Sequence, residues 1–270
     1  VTYANIMVAV DPGADARSRV RLAGHLTDDF GSRLIGVAAE RPDYAAVPIG
    51  PTPGGSYVLP RLHEACLDGL KRAHTLFDEA AAGFQRIEWR SDLDSPSHFM
   101  LQHAAGADLI VVGRPEDDPD TSPFYADPGD LVMQLGRPLL IVPPDVDRLD
   151  AARIAIGWKN TRAARRAIWD AMPFLKRASA VIVCTVDEGG EDLGEQVVRY
   201  LATRGIHAFT ARTDARGASL GEALVDVACE SAADLLVTGA YGHSRLQEWA
   251  FGGVTRDLLA GAPICCLMSH

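Results

Sequence analysis

The sequence predicts an α/β fold made of two repeated, doubly wound, open parallel five-stranded sheets, and three observations point to it. Short continuous apolar runs at residues 6–10, 109–112 and 235–238 have the character of strands buried on both faces. They alternate with segments whose apolar residues recur at helical spacing, the order that generates parallel sheets. The whole pattern then runs a second time: Ile6 pairs with Ile154 at an offset of 148, Gly113 with Gly239 at 126, and Gly136-Arg-Pro138 with Gly261-Ala-Pro263 at 125.

In the first half, residues 6–10 form a strand closed by Asp11-Pro-Gly13, residues 17–30 a helix, and 34–38 a second strand. Residues 40–60, rich in Pro and Gly, read as a long surface loop. A long amphipathic helix is predicted over 62–82, a third strand over 84–89, a third helix over 96–105 and a fourth strand over 109–112, ending at Gly113. An acidic, Pro-rich loop from Arg114 to Asp130 precedes a short helix and a fifth strand at 139–142. Residues 145–152 are expected to link a first repeat, 1–144, to a second, 153–270. There the strands are 153–157, 180–186, 207–211, 235–238 and 264–268, and the helices 162–174, 193–203, 220–232 and 254–259. Between its first and fourth strands the second half is 22 residues shorter, and the missing part matches the Pro/Gly loop and the long helix.

Composition bounds the function. The chain has 270 residues, 47% hydrophobic and 23% charged, with a net charge of −10. That acidity argues against sequence-independent binding to nucleic acid or anionic lipid, which needs clustered Lys and Arg. The apolar runs are strand-length, so no membrane span is expected, and the start lacks the basic region and cleavage site of a signal peptide; the expected location is the cytoplasm. Cys66, Cys184, Cys229, Cys265 and Cys266 show no zinc-ligand or CxxC spacing. Those in strands read as small buried hydrophobes, with Cys265 and Cys266 on opposite faces.

The stretch most suited to chemistry is Val237 to Thr255. A strand ends at Gly239, Gly242 follows, and after nine further residues come Gly252 and Gly253, where a helix starts. Glycines let backbone N–H groups approach a ligand closely, and a helix start offers unpaired donors with a partial positive charge. Tyr241, His243 and Arg245 lie inside the loop; Arg245 reads as a solvated loop arginine, or less often as a clamp on a phosphate. Structurally, the same glycines make a tight strand-to-helix connection, and Trp158, Trp169 and Trp249 read as core or interface anchors.

These residues resemble a tandem member of the universal stress protein family, a Rossmann-like fold, over nearly the whole chain. Nucleotide-binding members carry G-x2-G-x9-G-[ST] after the fourth strand, and Gly239, Gly242 and Gly252 have that spacing. The resemblance implies an adenine nucleotide, ATP with Mg²⁺, held in the second repeat by backbone groups of Gly239, Gly242, Gly252, Gly253 and Val254, with Thr255 assisting or capping the helix. It places Val186 or Asp187 near the base. Two departures stand out: Gly253 replaces the Ser or Thr, and Lys159, with reach to a phosphate, replaces the adenine-side Asp. The first repeat keeps that Asp as Asp11, but Pro and carboxylates such as Glu116, Asp117, Asp127 and Asp130 stand where the phosphate loop would be. The expectation is therefore one candidate pocket, in the second repeat.

The resemblance further implies that the fifth strands, 139–142 and 264–268, pair within the chain as an internal pseudo-dimer, with a homodimer or another protein as further partner. The acidic loop after Gly113 reads as a solvated segment, or less often as a docking surface for a basic partner. The function expected is a stress-response binding or regulatory module rather than an enzyme. The alternative is a scaffold that binds no nucleotide, and slow ATP hydrolysis ranks last.

Overall fold

A computed structural model describes residues 2–42, 58–114, 122–186, 193–213, 219–241 and 253–270. In the first half, β1 (Asn5–Ala9), α1 (Ala14–Phe30), β2 (Arg33–Ala39), α2 (Val58–Ala80), β3 (Ile87–Asp92), α3 (Pro96–His103), β4 (Leu109–Gly113), α4 (Pro128–Gln134) and β5 (Leu139–Val142) follow in order. The second half repeats it with β6 (Arg153–Gly157), α5 (Arg162–Asp170), the single turn α6 (Met172–Leu175), β7 (Ala180–Val186), α7 (Leu193–Ala202), β8 (Ala208–Thr213), α8 (Leu220–Glu230), β9 (Leu235–Gly239), α9 (Gly253–Gly261) and β10 (Cys265–Ser269).

Among the described residues the ten strands belong to one sheet, in the order β3-β2-β1-β4-β5-β10-β9-β6-β7-β8. Each half is parallel throughout, and the halves meet at β5 and β10, which pair antiparallel with Leu140 opposite Leu267. The expected internal pairing of the two fifth strands is present in this ladder. Helices cover both faces, so the central strands are apolar on both sides: Ile6 and Val8 join one core, Met7 the other. Cys265 and Cys266 likewise fall in opposite cores.

The repeat extends to a shared clamp. The Asp108 carboxylate accepts the N–H groups of Ala4 and Asn5 at 2.8 and 3.0 Å, and Asp234 accepts those of Ala152 and Arg153 at 3.0 and 3.1 Å. In both halves an acid just before the fourth strand ties down the start of the first. Charge-assisted bonds to backbone donors of this kind are stronger than neutral ones.

The halves also pack beside the seam. Tyr3, Phe30 and Phe174 form a trio with ring centroids 5.1–5.5 Å apart. The Tyr3 hydroxyl donates to the Asp170 carbonyl at 2.6 Å, and Arg177 pairs with Asp29 at 3.2 Å while lying over the Phe30 ring. On the other face the Arg114 guanidinium donates to the Ala262 carbonyl at 3.2 Å.

Some boundaries differ from expectation for local reasons. The third strand starts at Ile87, not Phe84, because Arg86 takes a left-handed φ of 56° and Phe84 packs instead against Gly24. The helix predicted over 162–174 breaks at Ala171, since Pro173 has no N–H to continue the ladder. The linker is not a solvated tether: Leu149 and Ala151 are buried. Of the loop expected over 40–60, residues 43–57 lie outside the described residues, and α2 already begins at Val58.

Two outcomes follow. Phe174→Ala removes the centre of the trio and should destabilise the chain by about 3–5 kcal/mol in denaturant unfolding. Arg177→Ala, at the exposed rim, should cost no more than about 1 kcal/mol. Burial pushes the thiols of Cys184 and Cys265 up to about 12 and that of Cys66 up to about 11, whereas Cys229 is exposed. Ellman's reagent on the folded protein should therefore titrate Cys229 quickly, with the other four thiols reacting only after denaturation.

Candidate functional site

In a doubly wound sheet, ligands bind beyond the strand C-termini where the winding reverses. That point lies between β1 and β4 in the first half and between β6 and β9 in the second. In each half the fourth strand ends at a glycine and the first helix begins above it, which makes the two crevices directly comparable.

In the second half, Gly239 lies against the start of α5. A Cβ built on it would meet the backbone of Ala163 and Ala164, 2.6 Å from the Ala163 carbonyl carbon. This glycine is required by close helix–strand packing, whatever else it does. Thr161 caps α5, accepting the Ala164 N–H at 3.2 Å. Lys159 is exposed in the turn between β6 and α5. Arg162 reaches the His270 Nε2 at 3.2 Å, and the His270 Nδ1 lies 3.0 Å from the Ala240 carbonyl.

The other predicted residues are placed as follows. Gly253 opens α9 and is exposed, with Asp257 3.9 Å from the position of its missing Cβ. Val254 packs at the edge of the core. Thr255, expected to assist with phosphate or cap the helix, is 2% exposed, sits inside α9 and accepts the Tyr241 N–H at 3.4 Å. Its oxygen pins the strand end to the helix, and it is not at the capping position. Val186 ends β7. Gly242, Gly252, Arg245, Asp187 and His243 lie outside the described residues.

Sequence reasoning passed over Trp158, taken as a core anchor. Its ring packs against the core at the end of β6, and its Nε1 is buried with no hydrogen-bond partner among the described residues. A buried indole N–H usually finds an acceptor, so this donor is unusual. The available signal was its place, one residue before Lys159 at a strand end beside the switch point.

The first half, expected to have lost its ligand, nonetheless holds a cavity. A cavity of about 270 Å³ opens between the start of α1 and the ends of β4 and β5, lined among others by Asp11, Arg19, Gly113, Phe124 and Tyr125. Arg19 explains it. Its guanidinium occupies the space beside Gly113, with Cζ 3.3 Å from where a Cβ would stand. No backbone atom of α1 comes within 4 Å of that position. Where α5 rests directly on Gly239, α1 stands off from Gly113 by the thickness of a guanidinium. The offset of 148 that aligns the two helix starts pairs Arg19 with Ala167, so the repeat itself carried the signal. The Arg19 Nε donates to the Ala9 carbonyl at 2.9 Å, and Nη2 forms an ion pair with Asp11. Asp127, counted with the repelling carboxylates, has a local duty: it caps α4, accepting the Gly129 N–H at 2.7 Å.

The Universal stress protein family profile matches residues 153–270. The second half of the chain is a universal stress protein domain. Over the full length, the fold superposes on a universal stress protein from Archaeoglobus fulgidus with a TM-score of 0.73 at 12% identity, covering 98% of this chain and 95% of that one. A putative universal stress protein from Pseudomonas aeruginosa matches with a TM-score of 0.58 at 14% identity, over 99% and 93% of the two chains. At these identities the likeness shows the fold alone. A universal stress protein from Archaeoglobus fulgidus in complex with dAMP matches 52% of this chain and 98% of its own, at 19% identity, but its TM-score of 0.33 lends its ligand no weight here. No curated protein matches the sequence. Among the described residues of this universal stress protein fold, no helix is long and apolar enough to cross a membrane, and no group of His, Cys, Asp or Glu suits a metal ion.

The contrast between the two glycines is testable by melting temperature. Gly239→Ala drives a methyl into helix backbone and should destabilise by about 1–3 kcal/mol. Gly113→Ala meets the end of a long side chain, so its shift should be the smaller of the two.

Proposed function

We propose that the chain is a tandem universal stress protein, with repeats 1–144 and 153–270, whose second repeat is a binding module for an adenine nucleotide, ATP with Mg²⁺. The observation that carries this reading is the frame of the glycine loop. β9 stops at Gly239 and α9 starts at Gly253, so the G-x2-G-x9-G spacing spans one strand-to-helix connection at the switch point. The residues at hand suit such a ligand. The orphaned Trp158 Nε1 offers a donor to a ring nitrogen or sugar oxygen, Lys159 a cation to the phosphates, and the start of α9 unpaired N–H groups. Mg²⁺ would arrive with the phosphates and neutralise their charge, because no described carboxylate cluster is built for it. The same reading puts the protein in the cytoplasm, in a stress response. A homodimer would have to form through other surfaces, because β5 and β10 are already paired to each other.

The scaffold reading has its own support. Gly239 is explained by helix packing and the Thr255 hydroxyl is used internally, so two motif positions need no ligand. One experiment separates the readings. ATP at a hundred times its Kd should raise the unfolding free energy by about 2.7 kcal/mol. Trp158→Phe, which keeps the ring and removes the donor, should weaken ATP binding by about tenfold. Denaturing the purified protein should release an adenine nucleotide identifiable by chromatography. No release and no stabilisation by ATP would leave the scaffold.

A further inference from the structure

The cavity that Arg19 holds open carries its own set of polar groups, distinct from those described in the second half. It lies between α1, β4 and β5, and residues of β2 take no part in its lining. Its 270 Å³ is below the range of about 300–1,000 Å³ usual for ligand pockets, so its occupant is small.

Its polar groups are predominantly donors. The Arg19 side chain is only 8% exposed. Of its five N–H hydrogens, the Ala9 carbonyl and the Asp11 carboxylate take two, and among the described residues no acceptor is recorded for the others. The other Asp11 oxygen accepts the Gly13 N–H at 2.8 Å. The start of α1 lines the same space with Ala14 and Asp15, whose amides belong to the unpaired first turn, and Gly13 at the cap has no side chain to cover them. Tyr125 adds a hydroxyl. Burial, with Asp127 and Asp130 nearby, pushes that phenol up to about 12, so it keeps its proton at neutral pH. Phe124, Val112, Val142 and Pro143 form apolar wall. Two carboxylates, Asp11 and Asp15, line the same space and oppose an anion, against the guanidinium groups of Arg19 and Arg114.

We infer that the first-half cavity binds a small organic carboxylate, its two oxygens taken by Arg19 and the α1 amides and its apolar body packed between Phe124 and Pro143. A carboxylate is all acceptor and planar, and it matches a guanidinium edge with two parallel bonds. A nucleotide triphosphate is disfavoured by the volume and by the Asp11 and Asp15 carboxylates in the lining. The site goes beyond the nucleotide reading and does not depend on it.

The test uses the full chain and thermal unfolding with three probes: benzoate, benzylamine and ATP. Benzoate should raise Tm in a concentration-dependent manner, and benzylamine, of similar size but opposite charge, should not. Arg19→Gln removes the charged fork, and Ala126→Leu, at another residue of the lining, fills the cavity while leaving Arg19 intact; each should weaken the benzoate response by about tenfold or more. The second variant decides alone if the first does not fold. Absence of a benzoate shift, an equal shift with benzylamine, or a benzoate shift that survives Ala126→Leu would overturn the inference. So would displacement of benzoate by ATP, which would make the cavity a nucleotide site. A chain that answers benzoate but not ATP would refute the nucleotide proposal and leave this one standing.

Discussion

The structure depends on one short antiparallel ladder. β5 and β10 are the strands each half would otherwise present as a bare edge, and a bare edge is a template for uncontrolled pairing. Joining them covers both, turns two five-stranded sheets into one ten-stranded sheet and leaves only β3 and β8 outermost. It also sets the two switch points on the same sheet, each with a first helix over a strand-end glycine. The Tyr3–Phe30–Phe174 trio on one face and the Arg114–Ala262 bond on the other hold the seam from both sides.

From that common frame the halves diverge by what lies under the helix. Alanines at 163, 164 and 167 let α5 settle directly on Gly239, closing the space between helix and strand. Arg19, at the position equivalent to Ala167, props α1 away and brings a nearly buried charge with it. A buried guanidinium needs partners, and Asp11 supplies only some of them. The carboxylate that the family resemblance assigns to a base is thus committed to an arginine in the first half and replaced by Lys159 in the second. Neither crevice keeps the full pattern, and each has its own substitute chemistry: an orphaned indole donor in one, an underused cation in the other.

Much of the fold was legible because strands buried on both faces read as unbroken apolar runs, and because a repeat offset fixes elements that are individually ambiguous. The linker and the third strand were less so. Leu149 and Ala151 are apolar residues in a polar stretch, buried by contacts that no local pattern announces. Phe84 looked like a strand residue, yet its ring fills the space at Gly24 while the true edge strand ends in Arg90, Ser91 and Asp92. At the sites, the glycine spacing and Lys159 were readable, but the duties of Thr255 and Asp127 were not, because each depends on a partner that only local geometry supplies. Arg19 was the most consequential omission. Its effect is exerted on a glycine of another strand 94 positions away, and only the comparison with Ala167 hints at it.

The central claim is that the two crevices share one frame and have different ligand chemistry. Hydrogen exchange read by mass spectrometry, with and without ATP, tests it most directly. The account predicts that ATP slows exchange at the end of β9, the start of α9 and the turn before α5, while amides around Asp11, Ala14 and Gly113 exchange as before. Protection by ATP at the first-half positions, with none at the second, would contradict it.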